Sequence, residues 1–520
     1  MTLNFSVPRH SPLTFRHRNW SLISSESIAD KVNNSSVLFC DNYLTVDDSV
    51  SHMNQNLLHI IDSIAPERVI KVTHPPAPWI SDDVRDLQRR RDKLYRIYRR
   101  SGYADKEYCN VRHLVKKRII EAKKNYLQDR FKHAKCPKAI WNDFRKLGLL
   151  RDSSKMFVSP HLDLDRLNNY FVSVGSSRRD CDNYQDICVN DANDSNSTNQ
   201  FNFIEITEED IKRNMKRITT TAVGPDGLSI TYYKVLQQIL LPSIANLFNI
   251  SLRTFQFPKQ WKKSIVLPLP KVRCPQSCDD YRPISILCPL SKVLERCVHD
   301  QLIYYIKVNN LLDPYQTGFQ EGMNTQTAVI RLCDDIRFAI DGRKVTVAVF
   351  FDFSKAFDCV DHSLLLLTLK NLNLSSGALL WIESYLSNRT QAVKHGDSLS
   401  SWQCSQSGVP QGSVLGPLLF SLFVSELGLQ IKCKNLFYAD DLVVYISCLM
   451  SDLNDAVLKL NEDVNLVVEW CSNNFLKLNA SKTRSIIFGS PQHVNDPACI
   501  AARKIMIGDT VTDYSVSVKY

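Results

Sequence analysis

The feature that most constrains the fold is a run of seven residues, Val345 to Phe351, which is apolar except for one threonine. Its β-branched side chains favour an extended conformation, and a short continuous apolar run is typical of a strand that is covered on both faces. Asp352 follows the run directly. The sequence therefore predicts a buried strand with a carboxylate fixed at its end, where it can point into a cleft.

Two more carboxylates, Asp440 and Asp441, lie between two short segments that are predicted to be strands, within residues 436–446. Adjacent aspartates in a tight turn cannot both find local basic partners, and a divalent cation would relieve their repulsion. Mg²⁺ prefers oxygen ligands and typically uses one or two carboxylates together with substrate phosphates. With Asp352, these aspartates are candidates to hold two ions ~4 Å apart for a phosphoryl transfer. Taken singly, each aspartate is also explained by turn chemistry or helix capping.

A glycine-containing loop, Ser407 to Pro417, lies between these two groups of carboxylates. Glycines at 408, 412 and 416 would let the backbone approach a planar partner closely, and Gln411 offers an amide at the rim. The loop also has a simpler explanation. An apolar helix is predicted over residues 418–427, and a loop that only leads into a helix would have the same composition.

The net charge of +10 is concentrated in one part of the chain. Residues 81–150 contain 21 Lys and Arg against 9 Asp and Glu, on two predicted amphipathic helices that begin at Ser81 and at about Lys106. Basic helices with interleaved tyrosines suit a phosphate backbone, whereas solvated faces, membrane-surface helices and calmodulin-type helices have similar patterns. The residues predicted to contact nucleic acid there are Arg89, Arg90, Lys116 and Lys117.

Other features of the sequence bear on its location in the cell. No run reaches the ~18 apolar residues of a membrane span, and residues 1–18 have no apolar segment typical of a secretion signal. The 16 cysteines are scattered singly, which is typical of reduced thiols. We expect an intracellular protein of the nucleus or cytoplasm that is neither secreted nor bound to a membrane.

Four ordered motifs resemble the reverse transcriptases of non-LTR (LINE-like, Jockey-type) retrotransposons. They are Phe351-Asp-Phe-Ser-Lys-Ala-Phe357-Asp, the segment from Gly408-Val-Pro-Gln-Gly to Phe420, Tyr438-Ala-Asp-Asp441, and the segment from Asn474-Phe-Leu-Lys to Thr483. Asp280-Tyr-Arg-Pro-Ile-Ser285 and the segment from Gln316 to Gly322 resemble further motifs of that family. The resemblance extends over residues 203–520.

The resemblance implies an α/β (α+β) fold with the fingers and palm of a right-hand polymerase, an antiparallel palm sheet and preceding basic helices. The implied activity is RNA-directed DNA polymerisation with two Mg²⁺ ions, for which Mn²⁺ can substitute, and with an RNA template, a DNA primer or target, and dNTPs as partners.

The resemblance also assigns roles to single residues. Asp352, Asp440 and Asp441 would be metal ligands, assisted by the Phe353 carbonyl, and Lys482 the general acid. Phe357 would be the gate that excludes a 2′-hydroxyl. The other implied contacts are Lys271 and Arg282 with the triphosphate, Gln411 and Gly412 with the nucleotide and template base, and Tyr438 with nucleic acid.

Four segments are expected: a remnant after a lost endonuclease (1–77), a basic helical segment (78–150), a linker with an acidic polar loop (151–202), and fingers and palm without a thumb (203–520). Two alternatives remain at this stage. An RNA-dependent RNA polymerase shares the palm, although the aromatic Phe357 and the Tyr-Ala-Asp-Asp sequence argue against it. A nucleic-acid-binding remnant without polymerase activity is the other.

Overall fold

A computed structural model describes residues 13–19, 45–72, 77–101, 106–132, 162–175, 200–508 and 510–515, together with residues 22 and 141. Most of the predicted linker with its acidic polar loop, and the last five residues of the chain, lie outside the described residues. The chain forms two compact units, one of residues 1–20 and 65–157 and the other of residues 21–64 and 158–520.

The helices and strands are numbered in chain order. Up to residue 260 they are β1 (Leu13–His17), α1 (Val46–Ile64), β2 (Arg68–Val72), α2 (Asp82–Ser101), α3 (Lys106–Lys132), α4 (Leu164–Ser173), α5 (Glu208–Arg217), α6 (Ile230–Val235) and α7 (Gln237–Arg253). From there to residue 405 they are β3 (Lys263–Pro270), β4 (Tyr281–Ile286), α8 (Pro289–Val308), α9 (Thr325–Asp341), β5 (Val345–Phe351), β6 (Phe353–Ser354), α10 (Ala356–Cys359), α11 (His362–Asn371), α12 (Ser376–Leu386), β7 (Arg389–His395), β8 (Ser398–Leu399) and β9 (Gln403–Ser405). The remainder are α13 (Leu415–Gln430), β10 (Lys434–Tyr438), β11 (Asp441–Cys448), α14 (Leu453–Asn473), β12 (Lys477–Leu478), β13 (Arg484–Phe488), α15 (Pro491–Val494), α16 (Pro497–Ile500), β14 (Ile505–Ile507) and β15 (Thr510–Thr512).

The first unit contains the β1–β2 antiparallel pair and the two predicted basic helices, α2 and α3. Both helices are confirmed. The rings of Tyr98 and Tyr108 stack between them at 5.7 Å. Val111 and Val115 are buried, whereas Ile97 and Leu114, two other apolar residues of these amphipathic helices, are exposed. The apolar contact between these helices is therefore smaller than the sequence pattern predicts.

A four-stranded antiparallel sheet in the order β10-β11-β5-β13 forms the centre of the second unit. Every residue of β5 is buried, as the apolar run predicted. Successive side chains of a strand point to opposite faces, and the two faces of β5 join different clusters. Val347 and Val349 belong to the main hydrophobic core, whereas Ala348 and Phe350 pack with α9 residues such as Leu332. Helices on both faces thus fix the strand that carries Asp352.

A second, mixed sheet in the order β4-β3-β7-β8, with β9 beside β7, is covered by α4. β3 and β7 run parallel, and β3 and β4 antiparallel. Leu167 and Phe171 of α4 pack against Val266 and Tyr281 of this sheet. The Asn168 amide donates to the Ser401 carbonyl at 2.9 Å. Residues 164–173 are therefore part of the same unit as the sheets.

Helix α13 is buried over most of its circumference and packs in the main core. Its first turn is held by Glu295, a fully buried carboxylate that accepts hydrogen bonds from the Val414 and Leu415 amides at 2.8 and 3.2 Å. A carboxylate at a helix N-terminus satisfies free amides and complements the helix dipole. Among the described residues, no helix is long and apolar enough to cross a membrane.

Helix ends follow the local sequence. A capping box is present at Thr207, with Thr207 and Asp210 bonded reciprocally. Asp361 accepts from two amides at the start of α11. Both caps satisfy amides of the first helical turn that have no partner within the helix.

Candidate active site

A cavity of about 550 Å³ brings together nine of the ten residues that the sequence predicted for catalysis and nucleotide binding. These nine are Lys271, Arg282, Asp352, Phe353, Phe357, Gln411, Gly412, Asp440 and Lys482. The tenth, Asp441, does not line it. The residues come from both sheets and from the loops between them, although they span more than 200 positions of the chain.

Asp352 and Asp440 are held at this cavity by hydrogen bonds of the main chain. The Asp352 carbonyl accepts from the Asn479 amide at 2.8 Å. The turn before Asp440 contains Ala439 in the left-handed conformation, with φ +58°. Beside this turn, the Thr317 amide donates to the Phe437 carbonyl at 2.8 Å, which ties the β10 end to the loop at 316–318. Two carboxylates on different elements thus face one space.

The three aspartates influence one another electrostatically. Burial raises the pKa of Asp440, and the negative charge of Asp352 adds to this, whereas Arg282 lowers it. Burial, with the charges of Asp440 and Asp352 as further causes, raises the pKa of Asp441 to about 6. Like charges at short range disfavour ionisation unless a cation neutralises them. The described residues contain no group of three or more His, Cys, Asp or Glu side chains arranged to hold a metal ion.

Four basic side chains line the same cavity, and three of them, Lys271, Arg282 and Lys482, were expected from the sequence. The Lys482 Nζ lies 3.9 Å from the Asp352 Oδ2 and is 68% exposed. Its backbone amide donates to the Asn479 carbonyl, so the turn bonded to Asp352 also positions Lys482. Lys271 donates from Nζ to the Asp279 carbonyl at 2.9 Å, and burial lowers its pKa. With Arg282, these cations give the cavity groups of both signs, which suits a phosphate ligand bound with a cation.

The ring of Phe357 forms one wall of the cavity. It stacks on Phe420 of α13, with centroids 4.4 Å apart, and meets the edge of Phe319 at 5.9 Å. Phe420 is fully buried, so the position of the Phe357 ring is fixed from below by the core.

Gln411 and Gly412 are held against strand β4. The Gln411 carbonyl accepts from the Ser285 amide at 2.8 Å. Gly412 has φ +117°, and a Cβ at this position would lie 2.6 Å from the Ser285 carbonyl oxygen. Only glycine fits both this conformation and this approach.

The predicted nucleic-acid contacts lie elsewhere. Tyr438, at the end of β10, is partly buried beside the cluster around Leu436 and Val443. In the other unit, Arg89 pairs with Asp86 at 2.8 Å and Arg90 with Glu107 at 2.6 Å, all exposed. Lys116 and Lys117 are exposed on α3.

Sequence reasoning missed two groups at the cavity. Asp358 accepts a 2.8 Å hydrogen bond from the Gln411 Nε2. Its only sequence signal was its place beside Phe357 in the first motif. Lys355 pairs with Asp279 at 3.0 Å and lies over the ring of Tyr170, whose hydroxyl donates to the same carboxylate at 2.9 Å. Nothing in the sequence indicated that Tyr170, from α4, would reach this place.

Comparison with known proteins identifies the region that carries the cavity. Residues 262–495 match the family described as reverse transcriptase (RNA-dependent DNA polymerase). The probable RNA-directed DNA polymerase from transposon BS of Drosophila melanogaster is 34% identical over 273 residues, which are 50% of this chain and 29% of that protein.

Residues 262–495 form a reverse transcriptase domain. The RNA-directed DNA polymerase from mobile element jockey of Drosophila melanogaster is 29% identical over 55% of this chain and 32% of its own length. The similarity to these relatives agrees with the resemblance of the sequence motifs to Jockey-type elements. The chain spans about a third of their length.

A solved structure, apo telomerase from Candida tropicalis truncated from its C-terminal domain, covers 44% of this chain and 50% of its own, at 15% identity and a TM-score of 0.33.

Proposed function

We propose that the reverse transcriptase domain synthesises DNA on an RNA template, joining a dNTP to the 3′-hydroxyl of a primer. The observation that carries this proposal is the shared cavity, in which two coupled carboxylates, Asp352 and Asp440, lie with Lys271, Arg282 and Lys482. Its volume of about 550 Å³ lies within the ~300–1,000 Å³ range of small-molecule sites.

The donor chemistry fits divalent metal ions. Asp352 and Asp440 supply hard oxygen ligands, and Mg²⁺ commonly uses one or two carboxylates and completes its shell with substrate phosphates and water. Asp441 would add negative charge close by rather than line the cavity. When bound, the ions would supply positive charge that stabilises the attacking and leaving oxygens of the transfer. Mn²⁺ is an alternative ion with similar ligands.

The residues of the chain would orient the nucleotide and control protons. Lys271 and Arg282 would bind the triphosphate through charge-assisted hydrogen bonds. Lys482, held by the turn that bonds to Asp352, would give a proton to the departing pyrophosphate. The fixed ring of Phe357 would exclude a 2′-hydroxyl and favour dNTPs over rNTPs, and the Gln411–Gly412 segment would contact the nucleotide and template base.

In this proposal the sheet β10-β11-β5-β13 is the palm, and the β3–β4 sheet with its helices forms the fingers. Both basic helices of the first unit would hold RNA, and Tyr438 would contact the primer or template. We further propose an intracellular site of action, in the nucleus or the cytoplasm, where template RNA is present.

Primer extension on poly(rA) with an oligo(dT) primer tests the proposal. We expect dTTP incorporation that needs Mg²⁺ or Mn²⁺ and falls by at least about 1,000-fold in Asp440→Asn, which keeps the side-chain volume. Asp397→Asn, an equal change at an exposed turn, is the control and should retain activity.

The alternatives give different results in the same assay. RNA binding without incorporation would show the nucleic-acid-binding remnant and refute the enzyme. Equal use of UTP and dTTP by the unchanged protein would instead indicate an RNA polymerase.

Phe357→Ala should raise the use of UTP relative to dTTP. An unchanged ratio of dTTP to UTP incorporation would overturn the role of the ring.

A further inference from the structure

We infer that Asp358 is a positioning residue that fixes the orientation of the Gln411 amide, so that the Gln411 Oε1 is the atom available to the incoming nucleotide. This inference rests on the proposed function and assigns a role to a carboxylate that the sequence argument left unused. It starts from the 2.8 Å hydrogen bond between the Gln411 Nε2 and the Asp358 Oδ1.

The main chain at residue 411 is fixed independently of this bond. Its carbonyl accepts from the Ser285 amide at 2.8 Å, and the next residue, Gly412, can occupy its place only without a side chain. Gln411 is therefore tied to strand β4 by its backbone, and the remaining freedom lies in its side-chain torsions. A long polar side chain loses substantial rotamer freedom when it is held at both ends.

The main chain at residue 358 is also fixed. Its amide donates to the Lys355 carbonyl at 2.9 Å, and its carbonyl accepts from the Ser407 hydroxyl at 3.3 Å. The loop that carries Gln411 docks beside it, because the Val409 amide donates to the Phe357 carbonyl at 2.8 Å. At Gly408, a Cβ would lie 2.7 Å from the Asp358 carbonyl oxygen. The two side chains thus meet between rigid backbones.

The chemistry of the pair determines which end of the amide faces the nucleotide. An ionised carboxylate only accepts hydrogen bonds, so it selects the NH₂ end of the Gln411 amide. The carbonyl end is left as an acceptor at the cavity that Asp352 and Asp440 share. Asp358 also lines that cavity and extends to a smaller one behind the loop, beside the buried Arg389.

A carboxylate in this place has an energetic cost. Burial raises the pKa of Asp358 to about 6, although the hydrogen bond from Gln411 and the charges of Lys355 and Lys271 act in the opposite direction. A residue with only a packing role would serve as well without a charge, which supports a role in orienting its partner.

The test is a double-mutant cycle on nucleotide use. Asp358→Leu keeps the branching of the side chain, although leucine is larger, and removes the acceptor. Gln411→Leu removes the amide. We expect Asp358→Leu to raise the KM for dTTP by about tenfold with a smaller change in kcat. In the Gln411→Leu background the same change should have no further effect, because its partner is gone. Asp358→Asn, which keeps an acceptor oxygen, should recover KM to within about threefold.

Multiplicative effects of the two leucine changes, or a loss of kcat alone, would overturn the inference and leave a structural role. If Asp358→Leu does not fold, Asp358→Ala with Gln411→Leu gives the same cycle, because alanine also removes the acceptor.

A second readout separates this inference from the proposed function. Binding of a fluorescent dATP analogue is measured with Ca²⁺ in place of Mg²⁺, which avoids turnover. The same non-additive pattern in Kd without primer extension would support the role of Asp358 and refute the polymerase. If the two changes instead weaken binding additively while primer extension is observed, the proposed polymerase function would be supported and the role of Asp358 refuted.

Discussion

Replacing Asp358 by asparagine should stabilise the protein at neutral pH while it keeps an acceptor for the Gln411 amide. The carboxyl has a pKa of about 6 in the folded chain against 3.8 as its ordinary value. Between these values the folded state binds more protons than the unfolded state, so the free energy of unfolding falls as the pH rises. At 1.36 kcal/mol per pKa unit, the ionised side chain costs about 3 kcal/mol once the pH is well above 6.

Asparagine does not titrate and keeps an oxygen for the Gln411 Nε2. The variant should therefore gain stability relative to the unchanged protein as the pH rises, by about 1.4 kcal/mol between pH 5 and pH 7.5 from these pKa values. Urea unfolding followed by circular dichroism at both pH values measures this difference. The asparagine amide needs hydrogen bonds of its own, which changes the stability of the variant by an amount that does not depend on pH. The test is therefore the direction in which the stability difference changes with pH.

Asp397→Asn is the matched control, because Asp397 is exposed in the turn between β7 and β8. Its stability difference should not change with pH. A stability gain for Asp358→Asn that is equal at pH 5 and pH 7.5, or one that shrinks as the pH rises, would refute the claim that a buried, costly carboxylate is retained there.

Three further predictions concern other parts of the molecule. Gly412→Ala, whose Cβ would meet the Ser285 carbonyl, should lower dNTP incorporation at least about tenfold and stability by about 1–3 kcal/mol. Gly396→Ala, also at positive φ but with no atom within 4 Å of the added Cβ, should leave incorporation unchanged, and equal losses would contradict the steric argument. Glu295→Ala should cost about 3 kcal/mol or more in thermal unfolding, since it leaves buried amide donors without partners; Glu295→Gln should cost less, and a neutral alanine variant would refute this role. Replacing four basic residues by glutamine should reduce the slope of log K against log salt for single-stranded RNA by up to about 3, at ~0.7 per phosphate contact. An unchanged slope would exclude the following residues from RNA binding: Arg89, Arg90, Lys116 and Lys117.

Much of the second unit could be predicted because the sequence patterns that determine its strands and helix ends involve residues close together in the chain. The apolar run before Asp352 required a covered strand, and the helix caps at Thr207 and Asp361 depend on residues within one turn. The motifs also predicted which residues come together at the cavity, since nine of the ten expected residues line it.

The remaining features depend on contacts between distant parts of the chain. Tyr170 reaches Asp279 across more than 100 residues, and the flanking sequence gives no indication of this. Asp441 was expected as the third metal ligand, from the aspartates of the two motifs and from their resemblance to the family. It lies opposite Tyr438 at the start of β11 and does not line the cavity, and its role as a ligand stays a prediction.

Helix α4 affects how a functional fragment of this protein has to be cut. The helix precedes the region of family similarity by about 90 residues, yet Phe171 lines the cavity and packs on Tyr281. A fragment that starts at residue 262 would carry every predicted catalytic side chain and would expose the apolar face of the mixed sheet to water. It would also lose α1, whose Val50 and Leu57 belong to the main hydrophobic core. Recombinant fragments should therefore include residues 46–64 and 162–175, since the physical edge of the folding unit lies well before the edge of sequence similarity.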